Sequence, residues 1–118
     1  MSPEQAISAL DRSLAGHGQD ATLRRYSGTG EARTKVDVTV RVRADDYRPE
    51  ELVGGIVQGD TKVILSPTQI LAASWPGTLS WPRTGDKIVI NGRERNIQAA
   101  PPKLIDGAVV RIELQVRG

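Results

Sequence analysis

The chain holds few side chains that could take part directly in catalysis. It has one histidine, His17, and no cysteine, so nucleophilic or metal chemistry that needs either residue must rely on this one imidazole. His17 stands in the stretch AGHGQ, directly after a predicted helix. A solvated histidine at a helix C-terminus, favoured there by the helix dipole, is the interpretation that we prefer.

Two pairs of neighbouring acidic residues, Asp45-Asp46 and Glu50-Glu51, resemble a carboxylate dyad. Adjacent side chains of an extended chain point to opposite faces, and no apolar pocket is evident that would raise one pKa above the other. We therefore predict a solvated loop, with a weak cation site as the alternative. The residues predict no catalytic, cofactor-binding or metal site, and we expect that the protein is not an enzyme.

Composition favours a single small domain. The 118 residues include 16 basic and 14 acidic side chains, a net charge of +2 without a clustered basic stretch, which is weak support for nucleic-acid binding. The N-terminus is too polar for a signal peptide, and no apolar run is long enough to cross a membrane. We expect a soluble protein that, in a bacterial cell, is cytoplasmic.

The N-terminal stretch predicts one amphipathic helix at about residues 3–15. Ser2 can cap it, with Pro3 at the first helical position and Gln5 at the third, as in a capping box. Apolar residues then recur on one face of this helix, at Ala6, Ile7, Leu10 and Leu14.

Two stretches alternate strictly between apolar and polar residues, as half-buried strands do. The inward positions are Val36, Val38, Val40 and Val42 in the first stretch, and Val110, Ile112, Leu114 and Val116 in the second. With shorter strands between them, the pattern predicts a mainly β fold: a small antiparallel β-barrel or sandwich of six to seven strands over about residues 21–118, preceded by the helix.

The hairpin GDKIVINGRERNIQAA turns at Asn91-Gly92, since both residues tolerate the positive φ of a type I′ turn. A plain two-residue turn, which we favour, places Arg93 and Arg95 on the face of Ile88 and Ile90. A bulge near Gly92 would move both arginines to the other face.

Three other segments support local predictions. GIVQGDTKVILS indicates a hairpin around Gly59-Asp60, and PPKLIDG a connector to the last strand. The loop SWPGTLSWP holds Trp75 and Trp81, which either cap an open end of the barrel or include an anchor at a subunit interface, where tryptophan is enriched.

The C-terminal half, residues 62–118, resembles the head-tail connector proteins of long-tailed phages and gene transfer agents, in particular the stopper or head-closure proteins. The resemblance rests on the order of a proline, a Gly-Asp pair, an apolar strand, a glycine turn, a strand ending near proline and a terminal apolar strand. These elements are Pro82, Gly85-Asp86, Ile88 to Ile90, Asn91-Gly92, Ile97, Pro101 and Val109 to Val116.

This resemblance implies a structural virion protein that assembles as a ring in the virion neck, in the cytoplasm of a bacterial host. Such a ring lies between the portal or adaptor and the tail terminator or tail protein, closes the DNA-filled head and offers a platform to the tail. The implied partners are further copies of the chain, those neck proteins and the packaged DNA, contacted without sequence specificity. No cofactor and no membrane are implied.

Family members can obstruct the channel with an internal loop, for which the candidate here is the segment from Asp45 to Asp60. Its candidate residues are Asp45, Asp46, Glu50, Glu51, Gly54 and Gly55. Two alternatives stay open: a tail terminator ring protein from the same machinery, and a small nucleic-acid-binding β-barrel.

Overall fold

The computed structural model describes residues 1–28, 30–77 and 81–118 of the chain. Its helices are α1 (Pro3–His17) and α2 (Thr68–Ala73), and short 3₁₀ turns occupy Gly30–Ala32 and Pro49–Glu51. The strands are β1 (Gln19–Ser27), β2 (Thr34–Asp46), β3 (Thr61–Leu65), β4 (Lys87–Ile90), β5 (Arg93–Ala99), β6 (Pro102–Ile105) and β7 (Ala108–Arg117).

Six of the strands form a closed antiparallel barrel. They are neighbours in the order β3-β2-β1-β4-β5-β7, and the pairing of β3 with β7 closes the circle. The seventh strand, β6, pairs with β7 outside this circle. The predicted mainly β fold with an N-terminal helix is confirmed, and of the two architectures considered the structure has the barrel.

Aliphatic side chains fill the barrel. In β7 the four predicted inward residues, from Val110 to Val116, are all buried. In β2, Val38, Val40 and Val42 are buried, but Val36 is 39% exposed. Among the described residues, β3 is paired only with the second half of β2, from Val42 to Asp46. The first half therefore has β1 as its one strand neighbour there, and its predicted inward face is incompletely covered.

Helix α1 packs against β2 and β7, and α2 also contacts β2. The predicted capping box is present: Gln5 N–H donates to Ser2 Oγ (3.2 Å), and Ser2 N–H donates to Gln5 Oε1 (2.9 Å). Leu14 is buried, and the Arg41 guanidinium donates from Nε to its carbonyl (2.9 Å). This bond ties the C-terminal end of α1 to β2.

The β4–β5 hairpin has the plain two-residue turn. Asn91 and Gly92 have φ of 53° and 78°, as a type I′ turn requires. Ile88 is paired with Arg95, and Ile90 with Arg93, so each arginine shares the face of its isoleucine partner. Arg95 is partly buried on this face, and its Nη1 donates to Thr61 Oγ1 (2.9 Å).

Two local predictions were wrong. Residues 56–58 form no strand before Gly59-Asp60; β3 pairs instead with β2 and β7, which are distant in sequence. The segment PPKLIDG is more than a connector, since it contains β6 and an Asp106-Gly107 turn with φ of 51° and 77°. The Asp-Gly pair is itself a strong hairpin signal, and it joins β6 to β7.

Replacing Gly92 by alanine should lower the free energy of unfolding by about 1–2 kcal/mol, because a Cβ is strained at positive φ. The matched control is Gly16→Ala in helix α1. A Cβ meets nothing within 4 Å at either site, so only the backbone conformation differs. The control should stabilise the protein by about 0.5–1 kcal/mol, less if the helix end frays. Urea denaturation of both variants measures the difference; equal effects of the two substitutions would contradict this reading of the turn.

Candidate functional site: the loop between β2 and β3

The predicted channel segment is shorter than the sequence indicated. Asp45 and Asp46 are the last residues of β2, paired with Lys62 and Thr61 of β3. The loop itself spans residues 47–60 and is called the β2–β3 loop below. Placing Asp45 and Asp46 in a loop was therefore wrong, because the β2–β3 ladder continues to the last residue of β2.

The first half of the loop is a compact turn. Pro49 opens a 3₁₀ turn, and the backbone N–H groups of Glu51 and Leu52 donate to the carbonyls of Arg48 (2.9 Å) and Pro49 (3.2 Å). The Glu51 carboxylate accepts a further bond from the backbone N–H of Arg48 (3.0 Å). Glu50, by contrast, is exposed.

An ion pair joins this turn to the barrel. Lys62 Nζ of β3 lies 2.6 Å from Glu51 Oε2 and 5.4 Å from the centre of the Tyr47 ring. The hydrogen bond from Lys62, followed by that from the Arg48 N–H, lowers the pKa of Glu51. Burial and then the nearby carboxylates raise the pKa of Tyr47. Both shifts favour the states found in this contact at neutral pH, an ionised Glu51 and a neutral Tyr47.

The second half of the loop is held by a buried carboxylate, that of Asp60. Arg117 of β7 donates to Asp60 from Nε (2.8 Å) and Nη2 (3.0 Å), and Gln115 donates from Nε2 (2.9 Å). The Val57 N–H completes the set at 3.1 Å. Arg117 and Gln115 also donate to the Gly55 carbonyl, both at 3.0 Å. We call Asp60, Gln115 and Arg117 the Asp60 anchor.

The Asp60 anchor was not foreseen from the sequence. The sequence interpretation placed Asp60 in a hairpin turn, where it would be solvated. Its partners stand more than 50 residues away, and only the pairing of β3 with β7 brings them together. The loop is therefore fixed at both of its halves, to β3 through Lys62 and to β7 through Asp60.

The same turn occurs at the start of β4. In each turn the aspartate N–H donates to the carbonyl three residues earlier (3.1 Å), Val57 for Asp60 and Arg83 for Asp86. The intervening glycines, Gly59 and Gly85, have φ of 98° and 97°, as in type II turns. Asp86 also receives two bonds from an arginine, Arg25 Nε (2.8 Å) and Nη2 (2.7 Å).

A sequence signal for both turns exists. The stretches GDTKVIL and GDKIVI repeat a Gly-Asp pair directly before an apolar strand. The repeat predicts two similar strand starts, although it does not identify the arginine that reaches each carboxylate.

The acidic residues of the predicted segment do come together. Asp45, Asp46, Glu50 and Glu51 line one open cleft of about 630 Å³, but three basic side chains share it, those of Arg43, Arg48 and Lys62. Gly54 has φ of 59° in the turn that follows, and the Gly55 carbonyl belongs to the contacts of the anchor. The cleft is thus of mixed charge with a small acidic excess.

The two tryptophans differ in their surroundings. Trp75 is 1% exposed, donates from Nε1 to the Val36 carbonyl (3.0 Å) and lies 4.9 Å from the Arg25 guanidinium. Its side chain fills the end of the barrel, as the first of the two interpretations of this loop predicted, and in the single chain it exposes almost no surface to a neighbouring subunit. Trp81 is partly buried against the core, and its role as an anchor stays a prediction.

His17 is exposed at the C-terminal end of α1, but it is the last residue of the helix, which continues two residues past the predicted end at about residue 15. Within residues 1–28, 30–77 and 81–118, no three His, Asp or Glu side chains are grouped so that they could hold a metal ion. No helix in these ranges combines the length and the apolar character needed to cross a bilayer. The expectations that the protein is not an enzyme and needs no cofactor stay predictions.

A comparison of the chain with protein-family models finds no match, and a search of the curated proteins finds no significant relative.

Asp60→Asn should lower the free energy of unfolding at pH 7 by about 1–3 kcal/mol, since it weakens hydrogen bonds to a buried charged group. Hydrogen bonds from Arg117, and then those from Gln115 and Val57, hold the pKa of Asp60 well below its usual range against the effect of burial. A carboxyl group with a lower pKa in the folded state stabilises that state at pH values above its unfolded pKa, about 3.9 for aspartate. This stabilisation is lost progressively as the pH falls below about 3.9.

The variant should therefore lose part of the acid dependence of stability below about pH 4. Urea denaturation at a series of pH values measures this. The control, Asp20→Asn, removes a partner of Arg41 that is 74% exposed and should change stability by less than about 1 kcal/mol. An Asp60→Asn variant with the wild-type pH dependence would contradict the role of the anchor.

Proposed function

We propose that the protein is a structural component of a virion neck, which forms a ring between the portal or adaptor and the tail and closes the DNA-filled head. The observation that carries this proposal is the acidic β2–β3 loop, which the Asp60 anchor holds at one end of a closed barrel. The resemblance of residues 62–118 to head-closure proteins supports it as well.

A closed barrel suits a ring subunit. Because the backbone N–H and C=O groups of neighbouring strands hydrogen-bond to one another around the circle, the barrel has few unpaired backbone groups and a rigid wall. Loops at its two ends can then vary without disturbing the wall. In the proposed ring, copies of the chain contact one another, the portal or adaptor lies above, and the tail terminator or tail protein lies below.

The β2–β3 loop is the part that we assign to the channel. Residues 45–60 contain five acidic residues and one basic residue. Three of the carboxylates, those of Asp45, Glu51 and Asp60, are paired with cations, so the segment keeps a small acidic excess, which disfavours the phosphates of packaged DNA. A loop of this charge closes a channel by obstruction and repulsion, without binding the DNA. This assignment keeps Asp45 and Asp46 as charges at the base of the loop.

The charge distribution favours this proposal over a nucleic-acid-binding barrel. Several arginines of the outer strand faces are already paired with carboxylates. Arg24 contacts Asp37 (2.9 Å) and Glu94 (2.8 Å), and Arg111 contacts Glu113 (3.1 Å). An arginine held by carboxylates is less available to phosphate, so such a face binds DNA weakly.

Co-purification tests the position in the neck. The tagged protein, produced together with the portal, adaptor and tail proteins of its own particle, should be recovered with the adaptor and should show rings in negative stain. A tail terminator would be recovered with tails instead. A protein that stays monomeric and recruits none of these proteins contradicts the proposal, and so does tight, salt-dependent DNA binding by the free protein.

Deletion of residues 50–55 should yield heads that assemble but lose their DNA, because the segment assigned to the channel is missing. Rings that remain visible on these heads in negative stain show that the loss is not caused by absence of the subunit. The control replaces the same six residues by glycine and serine, which keeps the length of the loop and removes two of its three carboxylates, those of Glu50 and Glu51. If the control retains part of its DNA, the length of the loop contributes by obstruction, and the part that is lost measures the contribution of the removed charges. Nuclease-protected DNA per head is the measurement; full retention after the deletion would overturn the assignment of the loop.

A further inference from the structure

An apolar groove lies between helix α1 and the β6–β7 hairpin. It measures about 470 Å³, and its apolar lining comes from both elements: Met1, Ala6, Ala9, Leu10, Leu104, Ile105 and Val110. Leu104 is 57% exposed and Met1 84% exposed. β6 has β7 as its only strand partner among the described residues. One wall of the groove is therefore an apolar strand at the free edge of the sheet, a surface that proteins usually cover.

The charged residues that line this groove are both basic. Lys103 is 57% exposed, and its Nζ reaches Glu113 only at 4.0 Å, the limit of an ion pair. Arg111 is 41% exposed and is paired with the same carboxylate at 3.1 Å. One glutamate thus faces two cations, so the rim keeps a positive excess. The groove suits an occupant that is both apolar and acidic.

The β2–β3 loop of the same chain has this character. Val53 is 66% exposed and Val57 48% exposed. Within the described residues, the carboxylates of Asp46 and Glu50 form no ion pair. The loop therefore presents exposed valines and, at Glu50, a carboxylate without an ion pair in the described part of the chain, with Asp46 at its base and exposed Arg48 two residues before Glu50. Val53 and Glu50 together match the apolar lining and the excess cation of the groove.

The loop and the groove lie at opposite ends of β7. The Gly55 carbonyl is bound by Gln115 and Arg117 near the end of that strand, whereas Leu104 is paired with Val109 near its start. The eight residue-to-residue steps from 109 to 117 span about 26 Å. Because the loop cannot reach the groove of its own chain, a contact between them joins two copies head to tail. Such a contact generates a ring where the rotation between copies closes, and a filament where it does not.

We propose that the β2–β3 loop of one subunit docks, through Val53 and Glu50, into the groove between α1 and the β6–β7 hairpin of the next subunit. Val53 covers Leu104, and Glu50 faces Lys103. This inference rests on the proposed ring and gives it an interface. It also places each loop against the ring wall, so that closure of the channel requires the loop to leave the groove.

Cysteine cross-linking tests the contact directly, since the chain has no cysteine of its own. Val53→Cys and Leu104→Cys replace exposed side chains, so both variants should fold. Under mild oxidation at high protein concentration, the double variant should form a ladder of disulfide-linked oligomers, whereas a mixture of the two single variants should stop at the dimer. The control pairs Leu104→Cys with Val36→Cys, an exposed residue of β2, and should give no ladder.

Charge reversal tests the polar half of the contact. Glu50→Lys and Lys103→Glu should each weaken self-association by about tenfold in sedimentation velocity at low salt, and the double reversal should restore it. Lys35→Glu, an exposed residue of β2, is the control and should leave association unchanged. Failure of the double reversal to restore association would contradict the pairing of these two residues.

The outcomes separate this inference from the proposed function. Rings that form on the adaptor but show no cross-link between positions 53 and 104 overturn the inference and leave the neck function standing. Cross-links within one single variant, Val53→Cys or Leu104→Cys alone, indicate a two-fold contact and also overturn it. A ladder from a protein that joins no neck component supports the contact and contradicts the neck function.

Discussion

Two buried aspartates, one at each end of the barrel, hold the turns that lead into β3 and β4, and the β2–β3 loop depends on the first of them. Asp60 precedes β3 and Asp86 precedes β4, and these strands run in opposite directions, so the two carboxylates lie at opposite ends. A buried carboxylate is strongly unfavourable unless it is paired and hydrogen-bonded. Arginine meets this need in both cases, Arg117 for Asp60 and Arg25 for Asp86, because its planar fork can donate two bonds to one carboxylate.

The surroundings of the two aspartates differ between the ends of the barrel. Around Asp86, Arg25 also lies over Trp75 and donates to the Trp81 carbonyl (3.1 Å), so this end is filled by rings and a guanidinium. Around Asp60, the same kind of turn instead holds the β2–β3 loop against β7. The same Gly-Asp turn with a buried aspartate therefore contributes to a filled end of the barrel at Asp86 and holds a surface loop at Asp60.

The proposed ring would also relieve a shortage of apolar burial. The core consists of aliphatic side chains and one tryptophan, and no phenylalanine contributes to it. Exposed apolar side chains remain at Leu104 and Val53. In an isolated chain these side chains face water, whereas a head-to-tail contact buries them, so that assembly and stability reinforce each other.

The sequence by itself determined the local elements. The alternation in β7, the capping box of α1 and the Asn91-Gly92 turn follow from side-chain period and backbone preference, which act over a few residues. The burial of individual side chains and their long-range partners, by contrast, depend on the tertiary structure. Val36 is partly exposed because β3 is too short to pair with the strand next to it. Trp75 is buried in the core. Asp60 became an anchor because the pairing of β3 with β7 brings it to Arg117, 57 residues away. Such contacts depend on which strands become neighbours, and no local pattern of residues encodes that choice.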